Sequence, residues 1–237
     1  MSKIFFFRHA QASAGAKNYD VLSPKGELQA VELGKYLTAK NYRFNKVYVG
    51  PLQRQRHTFE IVKSVFHDKN RPIPDPIMMD NLKEHQATAA MRLAMPELIK
   101  THPFIKKTWE EAAVNPALKK SAMMRCFQYF MEEWAEGNIA VEGILPWSEF
   151  RENVKKGLGN ILENTGSGET VAAFTSGGTI SSITAESLNL TDQRRIAAMN
   201  FSVRNTSFTS FFYSKGQFNL LGFNELPHLE EEMITFV

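Results

Sequence analysis

Ser2-Lys3-Ile4-Phe5-Phe6-Phe7-Arg8-His9-Ala10 is the stretch whose reading decides the fold. Ile4 to Phe7 is an apolar run of strand length, far too short to span a bilayer. A strand apolar on both faces belongs inside a sheet covered on both sides. An Arg-His pair follows at once, where such a strand ends. In open α/β sheets, ligands bind beyond the carboxyl ends of the strands. An arginine there can grip a phosphate through its planar fork of donors. A histidine there can serve as nucleophile or proton carrier near neutral pH.

The rest of the chain repeats this arrangement. Residues 10–21 are small and polar and read as a loop. Ser23-Pro24 then opens a helix, with Ser23 as cap, Glu27 in the first turn and Ala30, Leu33, Gly34 and Leu37 as its buried stripe. Asn41 to Asn45 break it. Lys46-Val47-Tyr48-Val49 reads as a second strand, ended by Gly50-Pro51. Thr58, Ile61, Val62, Val65 and Phe66 space out as a helix face. Residues 67–76, with Pro72, Pro74 and Pro76, read as a loop. From about 85 to 146 the pattern is helical but irregular, and Met123, Phe127, Phe130 and Trp134 fall on one stripe that reads mainly as core, with part of it able to line a pocket roof. Ser148 opens a helix with Phe150, Val154, Leu158 and Ile161 on one side. Thr170–Thr175 is a third strand, followed by Ser176-Gly177-Gly178 and a helix from about Thr179. Residues 206–213 and 217–221 form a hairpin around Lys215-Gly216.

Alternating strands and helices predict a three-layer α/β/α fold with a mostly parallel central sheet. Candidate site residues recur at strand ends: Arg8 and His9, then Arg54 and Arg56, then Ser176, Gly177 and Gly178. Together they describe an anion site. Two arginines can neutralise a phosphoryl group and stabilise charge on its equatorial oxygens. The glycines let backbone N–H groups approach a ligand at a helix start. His9 can attack phosphorus in line, and Glu84 in Leu82-Lys83-Glu84-His85 is a candidate for the acid that protonates the leaving oxygen; on spacing alone it also reads as a surface carboxylate.

Composition narrows the classes. The 237 residues carry 43% hydrophobic and 22% charged side chains, an ordinary globular balance. A formal net charge of +3, with no Lys/Arg run longer than two, gives no case for nucleic acid. Lys106-Lys107, Lys119-Lys120 and Lys155-Lys156 read as solvated helix faces. One cysteine, Cys126, excludes an internal disulfide framework and a cysteine-based zinc site, and reads as buried and inert. With no leader-like or membrane-length segment, the cytoplasm is the expected compartment. A nucleotide-binding Rossmann reading fails, because no G-x-G-x-x-G opens a helix after the first strand and no P-loop lysine follows Gly177-Gly178.

The ordered motifs resemble the histidine phosphatase superfamily, also called phosphoglycerate mutase-like. Phe7-Arg8-His9-Ala10 is similar to its Arg-His-Gly/Ala signature. Leu22-Ser23-Pro24-Lys25-Gly26-Glu27-Leu28-Gln29-Ala30 is similar to its Leu-Thr/Ser-x-x-Gly-x-x-Gln-Ala stretch. Gly50-Pro51-Leu52-Gln53-Arg54-Gln55-Arg56-His57-Thr58 resembles its Ser-x-Leu-x-Arg-Ala-x-x-Thr segment. Leu82-Lys83-Glu84 sits where the family has its acidic residue, and Phe174-Thr175-Ser176-Gly177-Gly178 resembles its His-Gly-Gly strand end. Asn205-Thr206-Ser207 and Asn224-Glu225-Leu226-Pro227-His228-Leu229 also follow its pattern.

The resemblance implies one domain over 1–237 with a helical cap inserted at 85–146. It implies a metal-free, cofactor-free phosphatase acting on a small phosphomonoester or a phosphohistidine, with no nucleic-acid or membrane partner. His9 is then the nucleophile, Glu84 the proton donor, and Arg8, Arg54, Ser176 and Gly177 the phosphate-binding set; Arg56 matches no catalytic position. Three departures stand out. Ser176 occupies the place of the family's second histidine, with His85, His57 and His228 as conceivable substitutes. Ala12 and Gly15 replace the usual Thr and Asn, as in the small phosphohistidine phosphatase branch. The insertion is of a size that caps pockets in this superfamily. The alternatives are an impaired phosphate-ester-binding protein with a regulatory role, and a phosphoglycerate-type mutase, which the loop after His9 disfavours.

Overall fold

The computed structural model describes residues 1–13 and 20–236; Gly15 lies outside them. Two compact units emerge. One comprises residues 1–84, 153–190 and 199–237, the other residues 85–152 and 191–198.

The first unit is built on a six-stranded sheet of order β3-β2-β4-β1-β5-β6, made of β1 (Ser2–Arg8), β2 (Lys46–Val49), β3 (Pro76–Met78), β4 (Thr170–Thr175), β5 (Phe208–Ser214) and β6 (Gln217–Glu225). β1 to β4 run parallel, and the β5–β6 hairpin joins antiparallel to β1. The sheet is mostly parallel, as the alternating pattern predicts. Ile4, Phe6 and Phe7 are all 0% exposed, which accounts for the unbroken apolar run in β1.

Helices cover the faces. Phe5, Phe7, Val47, Val49, Ala172, Phe174 and Phe208 meet Leu33 and Leu37 of α1 (Pro24–Ala39) and Phe59, Val62 and Phe66 of α2 (Gln53–Asp68). Phe7 stacks on Phe174 at 5.0 Å between ring centroids, and Phe59 meets Phe174 edge-on at 5.3 Å. α1 starts as its sequence dictates: Ser23 Oγ accepts from Gly26 N–H at 3.0 Å, with proline in the first turn. The two helices cross closely because Gly34 has no side chain; a Cβ there would lie 2.9 Å from Val65 Cβ.

The 67–76 segment departs from its reading as a loop. α2 continues to Asp68, and Pro76 opens the edge strand β3, pairing with Val47. Proline is tolerated at the first residue of an edge strand because the missing N–H costs no ladder bond there.

In the other unit lie α3 (Ala87–Thr101), α4 (Pro103–Val114) and α5 (Lys119–Ala135). The first residues of α6 (Trp147–Glu163) and most of α8 (Gln193–Met199) also belong to it. His85, Trp134, Trp147 and Phe150 form an aromatic cluster with centroids 5.3–5.8 Å apart, and Trp147 Nε1–H donates to Gln193 Oε1 at 2.9 Å. The expected α5 core stripe holds for Phe130 and Trp134 and departs at Met123 and Phe127. Ala122, Cys126, Phe130 and Trp134 are buried, whereas Met123 is exposed and Phe127 half-buried. Met123 and Phe127 line a cavity of about 840 Å³ with Met91, Met95 and Trp109, the alternative offered for part of the stripe. Cys126 is buried, and burial pushes its thiol up. Among the described residues no helix is long and apolar enough to cross a membrane.

Candidate active site

β1 and β4 are adjacent and parallel, with Arg8 level with Thr175. After β1 the chain leaves toward α1; after β4 it enters α7 (Gly177–Ser187) directly. α1 joins the Phe5–Phe7 face of β1, while α7, buried along Ile180 and Ile183, contacts β1 and β6. The diverging connections open a crevice beyond the strand ends, the place where such sheets bind ligands.

His9 stands at this crevice and is 4% exposed. Its backbone is fixed from several sides. His9 N–H donates to Thr175 O at 2.8 Å, and His9 O accepts from Asn205 Nδ2 at 3.2 Å. The next residue is held by Ala10 N–H donating to Thr58 Oγ1 at 3.0 Å.

The imidazole is equally constrained. Nδ1 lies 2.7 Å from Ala10 O, and Arg54 Nε lies 3.0 Å from Nε2. A carbonyl only accepts and a guanidinium only donates. The ring is therefore the neutral tautomer with its proton on Nδ1 and a lone pair on Nε2. Burial first, then the charges of Arg54 and Arg8, hold its pKa well below the ordinary histidine range. A neutral imidazole of this kind can act as a nucleophile toward an anionic centre once the arginine donor turns from Nε2 to the anion.

Arg54 sits in the first turn of α2, 8% exposed, with Nη1 paired to Asp20 Oδ1 at 2.7 Å. Asp20 also accepts from Gln53 N–H at 2.8 Å, so one carboxylate anchors the arginine and caps the helix carrying it. Arg8 is buried, and its Nη1 donates to Val203 O and to Phe236 O, the latter at 2.6 Å.

Ser176 is fully buried, and Gln55 Nε2–H donates to its Oγ at 2.8 Å. Gly177 opens α7, where a Cβ would lie 3.6 Å from Arg8 Nε. Glu84 reaches the same helix start, Oε2 accepting from Gly178 N–H at 3.0 Å.

The structure therefore gathers His9, Arg8, Arg54, Ser176, Gly177 and Glu84 around the ends of β1 and β4. Arg56 is exposed on α2 and not among them. Nor are two of the substitute histidines. His85 belongs to the aromatic cluster and accepts from Ala87 N–H at 3.3 Å. His228 Nε2 sits 3.0 Å from Thr206 Oγ1, and burial pushes its pKa down to about 4. Sequence reasoning missed Asp20 and Gln55. Asp20 carries no local signal, and Gln55 stood inside a quoted motif without a role.

The family model of the histidine phosphatase superfamily (branch 1) matches residues 4–128, more than half of the sequence. The chain belongs to the histidine phosphatase superfamily. No curated protein matches it in sequence. Among solved structures, YhfR from Bacillus stearothermophilus superposes with a TM-score of 0.66 at 21% identity, over 97% of this chain and 100% of its own. A phosphoglycerate mutase from Bacillus anthracis gives 0.64 at 17% identity, over 96% and 94%. A phosphoserine phosphatase mutant from Entamoeba histolytica, in complex with phosphoserine, gives 0.61 at 17% identity, over 97% and 100%. At these identities the likeness is one of fold, which this superfamily member shares with proteins named as a phosphatase and a mutase.

Proposed function

We propose that this histidine phosphatase superfamily member hydrolyses phosphomonoesters through a phosphohistidine on His9. The observation that carries the reading is the bond between Arg54 Nε and His9 Nε2, 3.0 Å, together with Nδ1 engaged by Ala10 O. In the first step the Arg54 Nε–H turns from His9 Nε2 to a phosphoryl oxygen, the freed Nε2 lone pair attacks phosphorus and the ester P–O bond breaks. Arg8, Arg54, the Ser176 hydroxyl and the Gly177 N–H hold the phosphoryl oxygens while charge builds on them. Glu84 gives its proton to the leaving oxygen. In the second step Glu84 takes a proton from water, the water oxygen attacks phosphorus, the N–P bond breaks and orthophosphate leaves with His9 restored.

Phosphorylated small organic acids are the substrate class to screen first, since solved structures of the same fold include proteins named for phosphoserine, phosphoglycerate and glucosyl-3-phosphoglycerate. The competing reading is an anion receptor without turnover, favoured by the neutral Ser176 beside two arginines. Hydrolysis of an aryl phosphate by chelator-treated protein, wild type against His9→Ala, decides between them. Turnover that vanishes in the variant supports the phosphatase. Phosphate-ester binding with no turnover in wild type supports the receptor.

A further inference from the structure

Gln55 is a buried polar side chain, 0% exposed, on the first turn of α2. Its amide nitrogen is saturated. Oε1 accepts from Leu52 N–H at 3.1 Å, and Nε2 donates to Leu82 O at 3.0 Å and to Ser176 Oγ at 2.8 Å. A carboxamide nitrogen carries two protons. Both are committed, so Gln55 has none left for a ligand. Ser176 is the acceptor in this bond, and its own proton must point elsewhere.

Ser176 is also unusual as a helix cap. It has N-cap backbone geometry before α7, with φ −126° and ψ 170°, but its side chain makes no capping bond. A serine at that position ordinarily accepts from one of the first N–H groups of the helix. Here Gly178 N–H is taken by Glu84 Oε2. The hydroxyl serves neither helix nor solvent, and it sits beside the residues that bear His9 and Arg8.

Gly50 belongs to the same fit. A Cβ on it would lie 2.2 Å from Gln55 Oε1 and 2.8 Å from Leu82 O. The glycine is the clearance that lets a glutamine reach under Ser176.

We propose that Gln55 is a positioning residue that sets the polarity of the Ser176 hydroxyl. Its amide holds Oγ as an acceptor, so that the Ser176 O–H donates to an oxygen of the bound phosphoryl group. The inference rests on the reading of the His9 crevice as a phosphomonoester site and supplies its neutral donor. That donor gains strength as negative charge builds on the equatorial oxygens, so it acts on kcat more than on KM.

The test is a double-mutant cycle on Gln55→Glu and Ser176→Ala, with Gln55→Met as a neutral companion. Gln55→Glu keeps the shape but replaces the amide donor, so Ser176 O–H turns to the carboxylate. Aryl phosphate kinetics, calorimetric binding of inorganic phosphate and thermal melting are read for each protein. Ser176→Ala should lower kcat roughly 10–100-fold with little change in KM. Gln55→Glu should lose a similar factor alone and nothing further when combined with Ser176→Ala. Gln55→Met, if Gln55→Glu fails to fold, should show the same dependence on Ser176. A wild-type rate in Ser176→Ala, with turnover still abolished by His9→Ala, overturns the inference and leaves the phosphatase reading standing. Equal losses with Ser176 intact and in the Ser176→Ala background overturn it too, as Gln55 then acts on folding alone. If wild type binds phosphate without turnover, the same cycle is read in the phosphate Kd, where a weakening by Gln55→Glu that vanishes in the Ser176→Ala background supports the inference and equal weakening in both backgrounds overturns it. A wild type that neither binds phosphate nor turns over overturns the site reading and the inference with it.

Discussion

Arg54 Nε donates to His9 Nε2 across 3.0 Å, inside a crevice where both residues are under a tenth exposed. The bond requires an unprotonated Nε2, and it places a positive charge where a proton would otherwise reside. Burial adds to the same effect. The imidazole therefore stays neutral at pH values where a free histidine is half charged. The acid limb of kcat/KM attributable to His9 should lie well below pH 6.5. A pH–rate profile with its acid limb at the free histidine value would contradict this assignment.

Arg54 owes its position to Asp20, which pairs with Nη1 and also accepts from the Gln53 N–H. Asp20→Ala removes both restraints. The expected result is a loss of roughly 0.5–2 kcal/mol of stability, as for a lost cap, together with a several-fold fall in kcat. Urea denaturation and steady-state kinetics on one preparation check both parts. Retained kcat would show that Arg54 needs no such anchor.

A buried imidazole, His9, and a half-buried one, His228, also tie stability to pH. His9 and His228 both have pKa values lowered in the folded protein, His228 to about 4. The unfolded chain takes up these protons below about pH 6.5. The unfolded state thus holds more protons in acid, and the fold loses stability as pH falls from about 6.5 toward 4. The full shift for His228 corresponds to roughly 3 kcal/mol. Urea midpoints at about pH 7 and about pH 4.5 should differ less for His228→Gln than for wild type; an unchanged difference would remove His228 from this account.

Phe174 joins core and site, stacking on Phe7 and meeting Phe59 edge-on, two residues before Ser176. Phe174→Ala leaves a cavity against a sheet strand that bears the crevice. It should cost about 3–5 kcal/mol of stability. Equilibrium denaturation measures it, and a loss under about 1 kcal/mol would mean that the cluster collapses around the gap.

The elements with strong local chemistry were legible in the sequence. Ser23-Pro24 starts a helix because the cap and the fixed φ act within one turn. Ile4 to Phe7 reads as a buried strand because both of its faces are apolar. β3 escaped because three residues opening with Pro76 carry no strand signal; their pairing with β2 makes them a strand. The α5 stripe departed at Met123 and Phe127 because these outweigh Ala122 and Cys126 in hydrophobicity, yet the small residues are the buried ones. In the site, His9, Arg8, Arg54 and Ser176 stood at strand or helix ends where a periodic reading leads. Gln55 and Asp20 act on partners 121 and 34 residues away, and no local pattern encodes such bonds.

The central place of β1 also bears on how the protein is made. Its two neighbours in the sheet, Thr170–Thr175 and Phe208–Ser214, are translated long after it. The roughly 160 residues between Arg8 and Thr170 take about 8–30 s at usual elongation rates. For that interval Ile4-Phe5-Phe6-Phe7 is an unpaired apolar strand, the sort of segment that chaperones bind and aggregates recruit. His9 directly follows this early strand, whereas Thr175, which accepts from its N–H, and Ser176 belong to a late one, so the arrangement around His9 can form only after Thr170–Thr175 has been made.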